Sequence, residues 1–455
     1  MKSRLTLAQL RKFIEAGEID TLVVAFPEPY GRLMGKRVTG AHFLEQALST
    51  GVHFCDYLLA TDMEMNPLPG FEMCGWEKGY GDIHGILDLD TLRLVPWLEG
   101  TATALVDLYW DQGEEVIQSP RAILKRQLER AHKAGLYPMM GSELEFHLFH
   151  EPVRELETSE RNFNRPTPTS TYIVDYHIQA TTREEYVIRQ IRNQMGGADI
   201  PVECSKGEWG KGQYEINLAY ADALEMADRH VIYKNGVKEI AEQNGISATF
   251  MAKYDTEATG SGFHLHTSLF DKAGKKNILW DERKKGSTKF RQFLGGLLRY
   301  TTDCFLFFAP TINSYKRYQS TSFAPTKIIW GEDNRTVGFR IVGHGSAFRI
   351  ENRMPGADAN PYLAFAATLA AGLAGIEEKL DCGEPYRGNA YIDLSLPQVP
   401  MSLAQAAELF KRSKMVRQTF GDEVVDHYIR LAQLEQKAFD ASVTDWERRR
   451  YFDRI

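Results

Sequence analysis

Residues 348–353 read FRIENR, and this alternation is the tightest constraint the sequence places on its fold. In an extended strand, successive side chains point to opposite faces. Arg349, Glu351 and Arg353 then share one face, while Phe348 and Ile350 enter a core with Asn352 beside them. A charged trio on a strand is ordinarily a solvated ladder of surface ion pairs. Three other stretches repeat the design with complementary chemistry, which sets this one apart. Glu143-Leu-Glu145-Phe-His147 alternates strictly, with Leu144, Phe146 and Leu148 facing the core. Two carboxylates on one strand face repel unless a cation or a base lies between them. Glu208 and Glu215 flank a glycine-rich turn in EWGKGQYE, and GSGFHLHTS places His264, His266 and Ser268 on one face behind a flexible Gly260/Gly262 pair.

Taken one at a time, such stretches are ordinary solvent faces. Together they supply five carboxylates (Glu143, Glu145, Glu208, Glu215 and Glu351) and one or two imidazoles. Oxygen-rich ligand sets with a single nitrogen suit a hard divalent ion, Mg²⁺ or Mn²⁺, rather than zinc. Arg317, Arg335, Arg340, Arg349 and Arg353 lie in the same region of the sequence. Metal ions with an arginine cluster supply what a transferring phosphoryl group requires, charge neutralisation and fixed in-line geometry. No Walker A loop, dinucleotide fingerprint or kinase signature is present. The residues alone imply a metal-dependent phosphoryl-transfer enzyme.

The 455 residues are too many for one simple core. Helices are predicted over 121–133, 183–195, 221–243, 290–305 and 361–379, with two more ending the chain. Strands are predicted at 201–204, 213–218 and 263–270. Strand clusters separated by helices and long connections imply an α+β architecture. The polar segment 111–119 marks a boundary, giving domains 1–112 and 113–455. A net charge of −7 gives no reason to expect nucleic acid or an anionic membrane as a partner. The Ala- and Leu-rich run 361–376 is broken by Gly372 and Gly375, so it reads as a buried helix, not a membrane span. A charged N-terminus without a secretory apolar region, and five cysteines without a CxxC, imply a reduced, cytoplasmic protein.

Over 141–365 the motifs SELEF, EWGKGQYE, GSGFHLH, NSYKR, DNRTVGFR, FRIENR and PGADANPYLA together resemble the glutamine synthetase superfamily in order and spacing. The resemblance implies an N-terminal β-grasp domain and a catalytic domain whose curved antiparallel sheet, flanked by helices, lines a funnel. It also implies a homo-oligomer of stacked rings, usually a dodecamer, in which one subunit's N-terminal domain completes its neighbour's site. By resemblance, Glu145, Glu208 and Glu215 hold one metal, and Glu143, His264 and Glu351 the second. Arg335, Arg340 and Arg349 match phosphate-binding arginines, and His266 and Ser268 positions beside ATP. Gly260, Arg317 and Arg353 match positions that hold L-glutamate. The implied chemistry is phosphorylation of the glutamate γ-carboxylate by ATP, then attack of an amine on the acyl phosphate.

The chain departs from the pattern after NSYKR. Ammonia-using members carry a glutamate there that helps bind and deprotonate ammonium. Six residues beyond Arg317 this chain has Phe323, and no acid occurs between Arg317 and Glu332. Ser320-Thr321 also stands where Pro-Gly is usual. An aromatic ring attracts ammonium less than a carboxylate does, but can pack on an organic amine. The SFAP pattern resembles the branch making γ-glutamylamides of organic amines, and a monoamine is the expected substrate. Alternatives are an ordinary glutamine synthetase, a γ-glutamylpolyamine synthetase, and a catalytically silent ring protein of the same fold. Asp62 is a candidate for the acid that takes the amine proton. Tyr391 is expected to be an ordinary surface tyrosine.

Overall fold

The computed structural model describes residues 4–158, 160–320 and 322–455. Thr321, half of the Ser320-Thr321 departure, therefore lies outside the described residues. Thr21–Pro27 (β1) and Leu33–Thr39 (β2) form a hairpin whose turn is closed by the buried Glu28, its Oε1 accepting from the backbone of Tyr30 and Arg32 at 3.0 and 2.9 Å. Val52–Cys55 (β3), Asp82–Leu87 (β4), Arg93–Leu94 (β5) and Thr101–Tyr109 (β6) complete a sheet of order β2-β1-β6-β4-β3, with β5 also on β6. β1 and β6 run parallel at its centre, and the helical segment over 40–50, with a π-helical turn at Phe43–Ala47, buries Phe43 and Ala47 against it. This is the β-grasp arrangement.

The second sheet begins with the 13-residue strand Tyr137–Phe149 (β7). Val202–Gly207 (β8), Gln213–Asp222 (β9), Ser247–Thr249 (β10), Phe263–Phe270 (β11), Trp330–Glu332 (β12), Phe339–Val342 (β13) and Arg349–Asn352 (β14) follow. They pair in the order β12-β13-β14-β11-β7-β9-β8, with β10 on β7. Every pairing is antiparallel except β12 with β13. The apolar side of the alternation, Leu144, Phe146, Leu148 and Ile350, enters one core with helices Ala223–Gln243 and Pro361–Glu377. The latter is buried along nearly its whole length because Gly375 faces Gly296 on helix Thr288–Tyr300. A Cβ on either glycine would meet the other's backbone at 2.4–2.7 Å. Among the described residues no helix is long and apolar enough to cross a membrane.

The C-terminal region holds four helices, Leu403–Arg412, Lys414–Phe420, Asp422–Ala441 and Asp445–Tyr451, where two were expected. Local caps cut the pattern. Ser413 ends one helix and caps the next by accepting from Val416 N, Gly421 adopts φ 86°, and Thr444 and Glu447 form a capping box. Helix 290–305 likewise stops at Tyr300, and Phe305–Phe307 is a separate 3₁₀ turn.

The two sheets are joined by more than a linker. Arg121, 1% exposed, binds Asp88 at 2.7 Å and Asp107 at 2.5 Å, both beside the first sheet, and Asp228 of the helix behind the second at 3.0 Å. Tyr362 donates to the same Asp228 at 2.6 Å. Ala25, Phe71, Trp97 and Leu105 share one core with Ile123, Met140 and Leu144.

Candidate active site

The polar faces of the second sheet meet in cross-strand rows. Glu143 on β7 lies opposite His264 on β11, and Glu145 on β7 opposite Glu215 on β9, which faces Lys206 on β8. Glu351 on β14 lies between His266 on β11 and Arg340 on β13. Alternation within each strand, combined with this register, collects the predicted residues on one patch.

His264 stands at the centre. Its Nδ1 is 3.2 Å from Glu143 Oε2 and 3.7 Å from Glu351 Oε1, and its Nε2 is 3.8 Å from Glu145 Oε1. Two groups of potential ligands result, Glu143–His264–Glu351 and Glu145–Glu215–His264, with donor atoms within 4.8 Å of one another in each. The first is the expected set. The second contains Glu145 and Glu215 but not Glu208, whose carboxylate is drawn to Lys206 Nζ while lining the same cavity.

Electrostatics mark the patch as rich in negative charge. Burial, then Glu143, Glu208 and Glu145, push the Glu215 carboxyl well above the usual range. Burial and Glu145 also raise Glu208. Burial works upward on Glu143 too, but hydrogen bonds from His264 and His266 hold it well below the usual range. Glu351 is fully buried, and Arg353, His264 and His266 outweigh that burial and hold it at about 2. Buried carboxylates facing one another at directly opposed strand positions are the donor chemistry of a hard divalent cation, and the residues fit one.

Two cavities open on the patch. The first, of about 310 Å³, is bounded by the carboxylates together with Gly260, Arg317, Arg335, Arg340, Arg353 and Phe323. The second, of about 260 Å³, is bounded by His266, Ser268, Arg349, Tyr220 and Phe270, and Glu143 and Asn217 line both. Arg349 Nε donates to His266 Nδ1 at 3.2 Å, and His266 Nε2 lies 2.9 Å from Glu143. Ser268 Oγ donates to the Phe348 carbonyl at 2.9 Å. Arg340 reaches Glu351 at 2.9 Å and also holds Asp333, whereas Arg335 is exposed at the rim.

Arg353 is buried with one nitrogen on Glu351, and among the described residues its Nε has no acceptor. Arg317 is pinned by donating to the carbonyls of Met354 and Arg353 at 2.9 and 3.2 Å. Glycine is required at 260, since a Cβ there would meet Arg317 Cγ at 2.8 Å and the Ala252 carbonyl at 2.9 Å. Phe323 is 50% exposed at φ 62°, its ring 5.5 Å from Trp209, in a loop tied by Ser322 Oγ to the carbonyls of Arg317 and Gln319.

Asp62 is not among the residues bounding either cavity. It closes its own loop by accepting from Asn66 N at 2.8 Å and Asn66 Nδ2 at 3.0 Å. Tyr391 departs from the expected surface tyrosine. Its hydroxyl is buried without a partner among the described residues, in the field of Arg353 and Arg317. Sequence reading also passed over Gln213, which donates to Glu145 at 3.2 Å and to the Gly260 carbonyl at 3.0 Å. The signal was available, because Gln213, Glu215 and Asn217 alternate on β9. Trp209, Lys206 and Asp175 were missed as well.

Residues 117–451 match the model of the glutamine synthetase catalytic domain. The chain is 48% identical over 451 residues to the gamma-glutamylethanolamide synthetase GlnA4 of Streptomyces coelicolor, covering 99% of this chain and 96% of that protein. It is 38% identical over 454 residues to a glutamate–isopropylamine ligase of a Pseudomonas species, covering 99% and 98%. The solved GmaS–ADP complex superposes with a TM-score of 0.85 at 29% identity, over 98% of this chain and 99% of that one. A family match over most of the chain, with relatives 48% and 38% identical along nearly all of it, has one meaning: the chain belongs to the glutamine synthetase family.

Proposed function

We propose that the protein joins the γ-carboxylate of L-glutamate to a small organic amine, driven by ATP, giving a γ-glutamylamide, ADP and phosphate. The observation that carries this is Phe323, an aromatic ring bounding the cavity in the loop after Arg317, where no acid occurs before Glu332. Relatives named as a gamma-glutamylethanolamide synthetase and a glutamate–isopropylamine ligase support it.

Glu143, His264 and Glu351 would hold one Mg²⁺ or Mn²⁺, and Glu145 and Glu215 a second, with Glu208 joining once released from Lys206. Such ions, when bound, offset the negative charge of the nucleotide phosphates. In this reading His266 and Ser268 flank ATP, and Arg335, Arg340 and Arg349 hold its phosphates. Arg340, anchored by Glu351 and Asp333, presents positive charge where the γ-phosphoryl group moves to the glutamate carboxylate. The open Nε of Arg353 and the fixed Arg317 receive the substrate's carboxylates, and Gly260 lets backbone approach it. The amine then attacks the acyl carbon as a neutral nucleophile and phosphate leaves. A role for Asp62 in taking the amine proton would require a second copy of the chain, because in its own chain it stands outside the cavity.

The same proposal includes domains 1–112 and 113–455, supported by the family match starting at 117. It also includes a dodecamer of two stacked rings, which light scattering of the purified protein tests. Five free cysteines support a reducing, cytoplasmic location. The functional test is phosphate release from ATP and glutamate with a panel of amines. Organic monoamines should exceed ammonium, and equal or better turnover with ammonium would overturn the reading.

A further inference from the structure

Resting on the metal and glutamate assignments of that reading, we propose that Gln213 is a positioning residue. Its side-chain amide locks the metal ligand Glu145, the glutamate-holding turn at Gly260 and the loop carrying Trp209 into one arrangement, so that ion and glutamate meet a site assembled in advance.

Gln213 opens β9 and is 1% exposed. Its amide has two N–H donors and one carbonyl, and each has a partner. Nε2 donates to Glu145 Oε2 at 3.2 Å and to the Gly260 carbonyl at 3.0 Å, while Oε1 accepts from Gly210 N at 2.9 Å. The Gly210 N–H fixes the orientation of the amide. Flipped, the group would set N–H against that donor and its oxygen against a carboxylate and a carbonyl. The main chain of the same residue closes the Trp209 loop, with Gln213 N donating to the Gly210 carbonyl at 3.1 Å and its own carbonyl accepting from Glu208 N at 2.9 Å.

The consequence falls on Glu145. Its Oε2 accepts from Gly262 N at 2.7 Å as well as from Gln213. Its Oε1 lies 3.8 Å from His264 Nε2, within the ligand group that includes Glu215. One carboxylate oxygen is thus engaged by the protein and the other is presented to a cation. Gln213 and Gly262 both hold Oε2, and Gln213 also holds Gly260, so the turn for glutamate and the carboxylate for the ion fix one another. Without the amide, the Gly260 carbonyl loses its donor and the Glu145 carboxylate is freer to rotate.

The experiment measures Mn²⁺ and glutamate binding by calorimetry on the full-length protein, with no amine present. Gln213→Met, close in length and shape, should weaken the Mn²⁺ site containing Glu145 about 10- to 100-fold. Glutamate Kd in the presence of Mg²⁺ should rise about 10-fold. Glu145→Gln identifies the site by weakening it alone. In that background Gln213→Met should weaken Mn²⁺ by less than about 3-fold, because the carboxylate it orients is gone. A general loosening of the fold would cost the same in both backgrounds and would overturn the proposal. Should Gln213→Met not fold, Gln213→Glu keeps the side-chain length and the acceptor for Gly210 N but loses the amide donors, and its glutamate Kd should rise by a similar factor. Unchanged Mn²⁺ and glutamate affinities in Gln213→Met, with Glu145→Gln still weakening Mn²⁺, overturn the role of Gln213 alone. Unchanged Mn²⁺ affinity in Glu145→Gln overturns the metal assignment and the proposal with it.

Discussion

Replacing Phe323 with glutamate should convert the enzyme toward ammonium. A carboxylate about 4 Å from an ammonium gains roughly 4 kcal/mol at an effective dielectric near 20. Phe323 is half exposed, so solvent screening and the lost freedom of a longer side chain remove more than half of that, leaving about 1–2 kcal/mol. KM for ammonium should therefore fall about 5- to 30-fold. An alkylammonium gains the same attraction but loses its ring contact, about 1 kcal/mol, or roughly 5-fold. The preference between them should therefore move about 5-fold toward ammonium. Phenylalanine and glutamate carry similar strain at φ 62°, so the loop itself should not change. Phosphate release at saturating ATP and glutamate, with ammonium or ethylamine varied, measures the shift. An unaltered ammonium KM, in a variant whose melting temperature and glutamate KM match wild type, would refute the assignment of this loop to the amine.

Three further outcomes follow from the site. Arg353→Lys removes the buried Nε donor and the fork geometry, so glutamate KM should rise about 30-fold or more while ATP binding measured by calorimetry changes little. Gly260→Ala drives a methyl against Arg317 Cγ and the Ala252 carbonyl. It should lower stability by about 1–3 kcal/mol in thermal melts and raise glutamate KM, because Arg317 must move. Glu215→Gln removes one charge from four clustered carboxylates. Without divalent ions the variant should melt a few degrees above wild type, roughly 1–2 kcal/mol, yet gain less on Mg²⁺ or Mn²⁺ addition.

Much of this site was legible because strand alternation is a local rule. Reading FRIENR, SELEF and GFHLH at period two put Arg349, Glu351, Glu143, Glu145, His264 and His266 on outward faces, and β11 spans the expected 263–270. The register between strands is set by long-range pairing and was not legible. Nor was it legible that His264 would lie within reach of Glu145 and Glu215, or that Lys206 would hold the Glu208 carboxylate. Lys206 escaped notice because a lone lysine on a strand is ordinarily solvent-facing, and its ring partner lies 30 residues earlier in an irregular segment. The buried hydroxyl of Tyr391 is likewise a tertiary effect, one that brings it into the field of the distant Arg317 and Arg353. Helix interiors followed apolar periodicity, whereas single capping residues such as Ser413 and Gly421 cut the last stretch into pieces.

The buried junction at Arg121 has a mechanical consequence. Turning one sheet against the other would expose a guanidinium held by three aspartates, and breaking such a buried ionic cluster costs several kcal/mol. Asn360, at the head of the long apolar helix, adds a second rivet by donating to the carbonyls of Glu28 and Pro29 at 3.0 and 3.1 Å. The two sheets therefore act as one stiff chassis with no clamshell stroke between them. The half-exposed rings of Trp209 and Phe323 instead line the mouth of the reaction chamber on this fixed frame.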